Sequence, residues 1–146
     1  REALAVPHAH SGDGPAATLR TIHDALRSTR GAAVAVCEVD GDRRLVTFAG
    51  IGNISGAVVS DGRSRSLVSL NGIVGYQVRT MHEFTYPWPD DGLLVLHSDG
   101  LGSRWALDQY PGLARRHPSL IAGTLYRDFA RGRDDVTVVV GRQRIP

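Results

Sequence analysis

Two short apolar runs constrain this chain more than anything else in it. Leu93-Leu94-Val95-Leu96 contains no polar residue and passes into His97-Ser98-Asp99-Gly100, while Asp134-Asp135 leads straight into Val136-Thr137-Val138-Val139-Val140. A short, wholly apolar run bounded by turn formers reads as a strand covered on both faces, and a β-branched run as a strand. A central strand therefore delivers Asp99 at its end, and a terminal strand starts at a pair of aspartates. If the two strands are antiparallel neighbours, their carboxylates meet at one sheet edge.

The remaining pattern supplies sheets and two helices. Ala33–Val39 is a β-rich run closed by the hairpin pair Asp40-Gly41, and Leu45–Ala49 returns. Ile54–Ser60, the turn Asp61-Gly62, Ser66–Leu70 and the alternating stretch Val78–Tyr86 extend this into an antiparallel meander, followed by a loop at Pro87–Gly92. Leu19, Ile22 and Leu26 recur at helical spacing behind Pro15, predicting a helix that starts at Asp13 or Gly14 and ends at Gly31. Leu120, Ile121, Leu125 and Phe129 predict a second helix capped by Ser119 and ended by Arg131-Gly132-Arg133. Arg1–Val6 is also composed of helix formers and stops at Pro7. The predicted class is α+β, with two β-rich layers and helices outside them.

A length of 146 residues suits one compact domain, 1–146, and one core. All 17 basic residues are Arg, spread without a run, and the formal net charge is +2, which argues against a nucleic-acid stripe or a basic membrane patch. Neither nucleic acid nor membrane is therefore expected as a partner. Cys37 is the single cysteine, so the chain can build neither a disulfide nor a cysteine-based zinc site. No apolar run approaches the roughly 20 residues of a membrane span, and the N-terminus lacks a signal-peptide layout. The expected location is the cytoplasm. The start at Arg1, in helix-forming sequence, gives the expectation of a fragment.

Clustered carboxylates repel, so a site that gathers Asp99, Asp134 and Asp135 at neutral pH calls for protons or a hard cation such as Mg²⁺ or Mn²⁺. Taken singly, each motif also reads as an ordinary turn or polar loop. His8 and His10 have no third ligand nearby and read as loop histidines, and His97 as a packed, hydrogen-bonded strand histidine. Ser98 lies between His97 and Asp99 on a strand, where successive side chains alternate faces, so the three cannot form a catalytic triad. Trp88, Arg104 and Trp105 read as packing and surface charge. An aspartyl-phosphate reading of Asp99 needs a second Asp two residues on, where Leu101 stands.

Leu93–Leu101 and Arg133–Val140 resemble the last two motifs of PPM-type phosphatases: an apolar strand entering Ser-Asp-Gly, and an acidic pair before a Thr-containing terminal strand. Gly50-Ile51-Gly52-Asn53 is similar to the Gly-Asn turn of the stage II sporulation protein E-like members. Arg30–Val36, Asn71–Gly75 and Arg127–Ala130 look like the subgroup found in sigma-factor partner-switching systems. The resemblance implies a β-sandwich of antiparallel sheets flanked by helices, with the N-terminal strands missing. It also implies a two-metal hydrolase in which Mn²⁺ or Mg²⁺ activates a water for attack on phosphoserine or phosphothreonine. Asp99 and Asp134 match metal ligands, and Asp135 the Asn-or-Asp position beside them.

The family's first metal motif, an Asp-Gly pair after an early strand, has no counterpart here. Asp13-Gly14 reads instead as a helix start. The chain alone is therefore expected to be inactive or nearly so. The implied substrate is a phosphorylated anti-sigma-factor antagonist, and an anti-sigma-factor-like ATP-binding domain can precede such a domain in its parent chain. A non-catalytic regulatory module on the same fold is the alternative.

Overall fold

The computed structural model describes residues 3–4, 13–132 and 134–143. In chain order the elements begin with β1 (Ala3–Leu4), α1 (Gly14–Ala25), β2 (Val34–Asp40), β3 (Leu45–Ile51), β4 (Ile54–Ser60), β5 (Arg63–Leu67) and β6 (Ser69–Leu70). They continue with β7 (Gly72–Ile73), β8 (Gln77–Val78), β9 (Phe84–Pro87), β10 (Leu93–Ser98), α2 (Pro118–Phe129) and β11 (Val138–Arg142). The chain divides into two compact units, Arg1–Ile54 with Leu67–Trp88 and Ser55–Ser66 with Pro89–Pro146. Among the described residues no helix is long and apolar enough to cross a membrane.

In the first unit, β2 and β3 pair antiparallel, from Val34 opposite Ile51 to Asp40 opposite Leu45. Alternation along the strands sends Val34, Val36, Ala49 and Ile51 to one face. There they form a core with the fully buried Leu19 of α1, and Ile22 and Leu26 pack at its edge. β6 runs parallel to β3 and β9 antiparallel to it, while β7 and β8 make a separate small hairpin.

The start of α1 is held from a distance. Asp13 occupies the capping position without a side-chain bond to the helix, and Glu83 Oε2 accepts the Ala16 N–H at 2.9 Å instead. A carboxylate there satisfies an orphan amide and meets the positive end of the helix dipole.

In the second unit the strand order is β11-β10-β4-β5. All six residues of β10 are buried, as the apolar run Leu93–Leu96 requires of the first four. Leu93, Val95 and Leu101 share a core with Val59, Leu107, Leu113, Ile121 and Leu125, the last two from α2. Asp61 and Gly62 both have positive φ, 48° and 72°, which is the two-residue turn the Asp-Gly pair favours.

Several boundaries differ from the sequence reading. Ala3–Leu4 is a strand and not helix: it pairs parallel with β2, Ala3 opposite Val34 and Leu4 opposite Ala35. Ladder bonds on the free side of β2 outweigh the weak helix preference of six residues.

α1 ends at Ala25, well before Gly31, because Thr29 Oγ1 donates to the Leu26 carbonyl and accepts the Gly31 N–H, turning the chain early. The Asp40-Gly41 pair does not close its hairpin alone. The loop is Gly41–Arg44, fixed by the Arg43 N–H on Asp40 Oδ1, and the positive φ falls on Arg44.

The expected strand Ser66–Leu70 is broken at Val68, whose N–H donates to the Tyr86 hydroxyl at 2.9 Å, and the expected strand Val78–Tyr86 is interrupted over 79–83. The meander is therefore not wholly antiparallel. α2 starts at Pro118, and His117, not Ser119, is its cap, its Nδ1 accepting the Ser119 N–H.

Cys37 lies on β2 opposite Phe48. Burial, reinforced by the neighbouring Glu38 carboxylate, pushes its thiol up to about 12. Because the thiolate is the nucleophile, Cys37 should react with iodoacetamide at neutral pH at least a hundredfold more slowly in the folded than in the urea-unfolded chain, roughly as the thiolate fraction dictates. Equal labelling rates would show an accessible, ordinary thiol.

Candidate metal centre

The second unit sets out the acidic segments at one end of the β10–β11 pair. The two strands are antiparallel from Leu93 opposite Arg142 to His97 opposite Val138. β10 then ends at Ser98, which is fully buried, and Asp99 is exposed. The Leu101 N–H donates to the Ser98 carbonyl, closing a turn over Asp99 and Gly100.

Ser98 fastens this turn to the acidic pair. Its N–H donates to the Thr137 carbonyl at 3.1 Å, its hydroxyl donates to the Asp135 carbonyl at 3.1 Å, and the same hydroxyl accepts the Thr137 N–H at 3.0 Å. Gly100 completes the contact, since a Cβ there would collide with the Asp135 carbonyl. The Arg131 N–H donates to the Gly100 carbonyl, and the Gly102 N–H to that of Phe129, tying the turn to the end of α2.

Asp99 and Asp135 thus sit on backbone segments in direct contact, with Asp134 one residue further along, and all three are exposed. Asp134-Asp135 do not open directly onto the strand, as the sequence reading had it. Val136 and Thr137 intervene and β11 begins at Val138, because the Thr137 N–H is taken by the Ser98 hydroxyl.

His97 is held by hydrogen bonds at both ring nitrogens. Its Nε2 accepts the Trp105 Nε1–H at 3.1 Å and its Nδ1 donates to the Ser98 carbonyl at 2.8 Å, so both ring nitrogens are used by the neutral form. Burial holds its pKa below the usual value. Ser98 is equally committed, which excludes it as a nucleophile. Gly50 lies in β3 and Gly52-Asn53 in the turn leading to β4, in the first unit and at its boundary, while His8 and His10 lie outside the described residues.

Oxygen-only donors, with the one nearby imidazole committed, fit a hard cation of the Mg²⁺ or Mn²⁺ type in chemistry. Among the described residues no three His, Cys, Asp or Glu side chains come together, so such an ion would take further oxygens from water or other donors. Ser98 is the residue the sequence reading undervalued. Its signal was a hydroxyl directly after the apolar run Leu93–Leu96 and His97, at the end of a buried strand where a polar group needs partners.

An α+β chain whose buried strand ends in Ser-Asp-Gly against a second acidic segment has the fold of the PPM-type phosphatases. The family model of stage II sporulation protein E matches residues 4–144, and the chain belongs to that family.

Among solved structures it is similar to a protein from work on the bacterial stressosome as a modular system adapted to control secondary messenger signalling. The identity there is 28%, with a TM-score of 0.79 over 90% of this chain and 69% of that one. RsbX in complex with magnesium is 18% identical, with a TM-score of 0.66 over 85% of this chain and 62% of that one. The phosphatase domain of SpoIIE from Bacillus subtilis, presoaked with Mn, is 20% identical, with a TM-score of 0.57 over 94% and 70%. No curated protein sequence matches the chain.

Proposed function

We propose that this chain is part of a metal-dependent protein-serine/threonine phosphatase that acts in the cytoplasm on a phosphorylated signalling protein, an anti-sigma-factor antagonist in particular. The observation that carries the reading is the backbone contact between 98–100 and 135–137, which sets Asp99 beside the Asp134-Asp135 segment. Family membership and the stressosome relative support the signalling context. An anti-sigma-factor-like ATP-binding domain elsewhere in the parent chain belongs to the same proposal.

Asp99 and Asp134 would hold the ions, with Asp135 beside them. Two hard cations supply, when bound, the Lewis acidity that activates water and neutralises the leaving oxygen. The chain's own residues set the geometry. Ser98 fixes the spacing of the acidic segments through three hydrogen bonds, and the buried β10 gives Asp99 a rigid support. His97, bound to the Trp105 indole and the Ser98 carbonyl, helps to hold the end of β10 in place. The exposure of all three aspartates leaves the site open to a phosphorylated loop of another protein.

The second reading, a non-catalytic module on the phosphatase fold, is favoured by the absence of any three-ligand group among the described residues. Aryl phosphate hydrolysis with added Mn²⁺ separates the two, run on the chain and on a form lengthened upstream of Arg1, each with its Asp99→Asn counterpart. The phosphatase reading predicts turnover that Asp99→Asn removes while thermal melting without metal moves far less. Turnover untouched by Asp99→Asn would overturn the site. No turnover in any form, with Mn²⁺ leaving both melting curves where they were, would install the non-catalytic reading.

A further inference from the structure

In the first unit, a groove of about 370 Å³ runs beside α1, with Arg20 and Asp24 on the helix, Arg27 just past its end, and Arg79 and Met81 from the segment after β8. Its charge is not balanced. Arg27 Nε pairs with Asp24 Oδ1 at 3.0 Å, which uses the groove's carboxylate. Neither Arg20 nor Arg79 pairs with a carboxylate among the described residues. Elsewhere in the chain, Arg43 and Arg127 have Asp40 and Asp128 beside them.

The groove is built on fixed parts. His23 Nδ1 accepts the Gly75 N–H at 2.9 Å, which pins the β7–β8 hairpin to α1 and with it the chain that carries Arg79. Met81 is partly buried against the core of this unit, so the groove has an apolar element as well as guanidinium groups. Tyr76, at the hairpin's turn, is 75% exposed.

We propose that this groove docks an acidic segment of a partner protein, with its carboxylates on Arg20 and Arg79 and an apolar side chain on Met81. Guanidinium forks match carboxylates in bidentate geometry. The built-in carboxylate of Asp24 opposes a continuous polyphosphate backbone or an anionic lipid surface, whereas a peptide can place its charges on either side of it. Mixed lining of this kind selects a pattern of charge and not merely its sign.

The probe is a fluorescein-labelled dodecapeptide of alternating glutamates and leucines, titrated into the chain at about 0.15 M ionic strength, where the Debye length is about 8 Å. The probe should bind, and Arg20→Glu with Arg79→Glu should weaken it by at least about tenfold, like charges facing each other at the contact. Arg63→Glu with Arg65→Glu, on the exposed β5 and outside the groove's lining, makes the same net charge change and should alter binding less than about twofold, as screened charges that touch no part of the groove do. All four positions are exposed, and melting curves check that each variant folds. No binding of the probe, or equal weakening by the two pairs, would overturn the proposal. Capture by phosphatidylglycerol vesicles that depends on Arg20 and Arg79 while the peptide does not bind would replace it with a membrane surface.

Discussion

Gly100→Ala should cost the chain about 3 kcal/mol of stability, at the upper end of what overpacking does. It should also lower Mn²⁺-dependent hydrolysis by roughly a hundredfold in whatever form of the protein turns over. A Cβ at this position would run into the Asp135 carbonyl and lie 2.9 Å from Val136 Cγ2 and 3.0 Å from the Asp135 carbonyl carbon. Two of those three atoms are backbone, so no rotamer change relieves the clash. The turn cannot retreat either, because the Gly100 carbonyl accepts the Arg131 N–H at 2.9 Å and Ser98 ties the opposite side to Asp135 and Thr137.

The outcome is read by urea unfolding together with turnover, and the contrast with Asp99→Asn is what makes it informative. Asp99 is exposed and its replacement should move unfolding far less than turnover, whereas Gly100→Ala should move both measurements. Wild-type stability in Gly100→Ala would mean that the 98–100 and 135–137 segments are not in contact.

What could be read from the sequence was what is decided locally. Leu93–Leu96 had to be a strand covered on both sides, since nothing in it can face water, and Asp61-Gly62 had to turn because both residues tolerate positive φ. The approach of Asp99 to the acidic pair was inferred from a single assumption, antiparallel pairing of two strands, and β10 and β11 are paired in that way. The missed boundaries are those decided by distant partners. The Val68 N–H is claimed by the hydroxyl of Tyr86, eighteen positions on, so a run that alternates properly is cut in two and its halves join different sheets. Glu83 caps a helix that starts 69 residues earlier, where the sequence offered Asp13 or Gly14 as the start. The tether between Ser98 and Thr137 moves the start of β11 downstream, and only the fold brings those residues together. Periodicity carries no trace of such contacts, because it records which face a residue takes and not which group arrives there.

Phe48→Ala should be the most damaging truncation in the first unit, at about 4 kcal/mol in urea unfolding, the usual loss for a buried aromatic replaced by Ala. Phe48 is fully buried in β3, between β2, where it faces Cys37, and β9, where it faces Phe84. Its ring lies over Gly50: a Cβ there would stand 2.7 Å from Phe48 Cε1 and Cζ and 2.5 Å from Ser69 Oγ. The glycine is thus the space the ring occupies, and the two positions should be energetically coupled. Gly50→Ala forces the ring off its place in the wild type, but in the Phe48→Ala background the added methyl enters vacated volume, and of its three nearest neighbours only the Ser69 hydroxyl, which donates to the Ile54 carbonyl, remains. The cost of Gly50→Ala should accordingly be smaller in that background by at least about 1 kcal/mol, within the range found for residues in contact. Strict additivity in the double-mutant cycle would place the ring elsewhere, and the burial of Phe48 would then need another explanation.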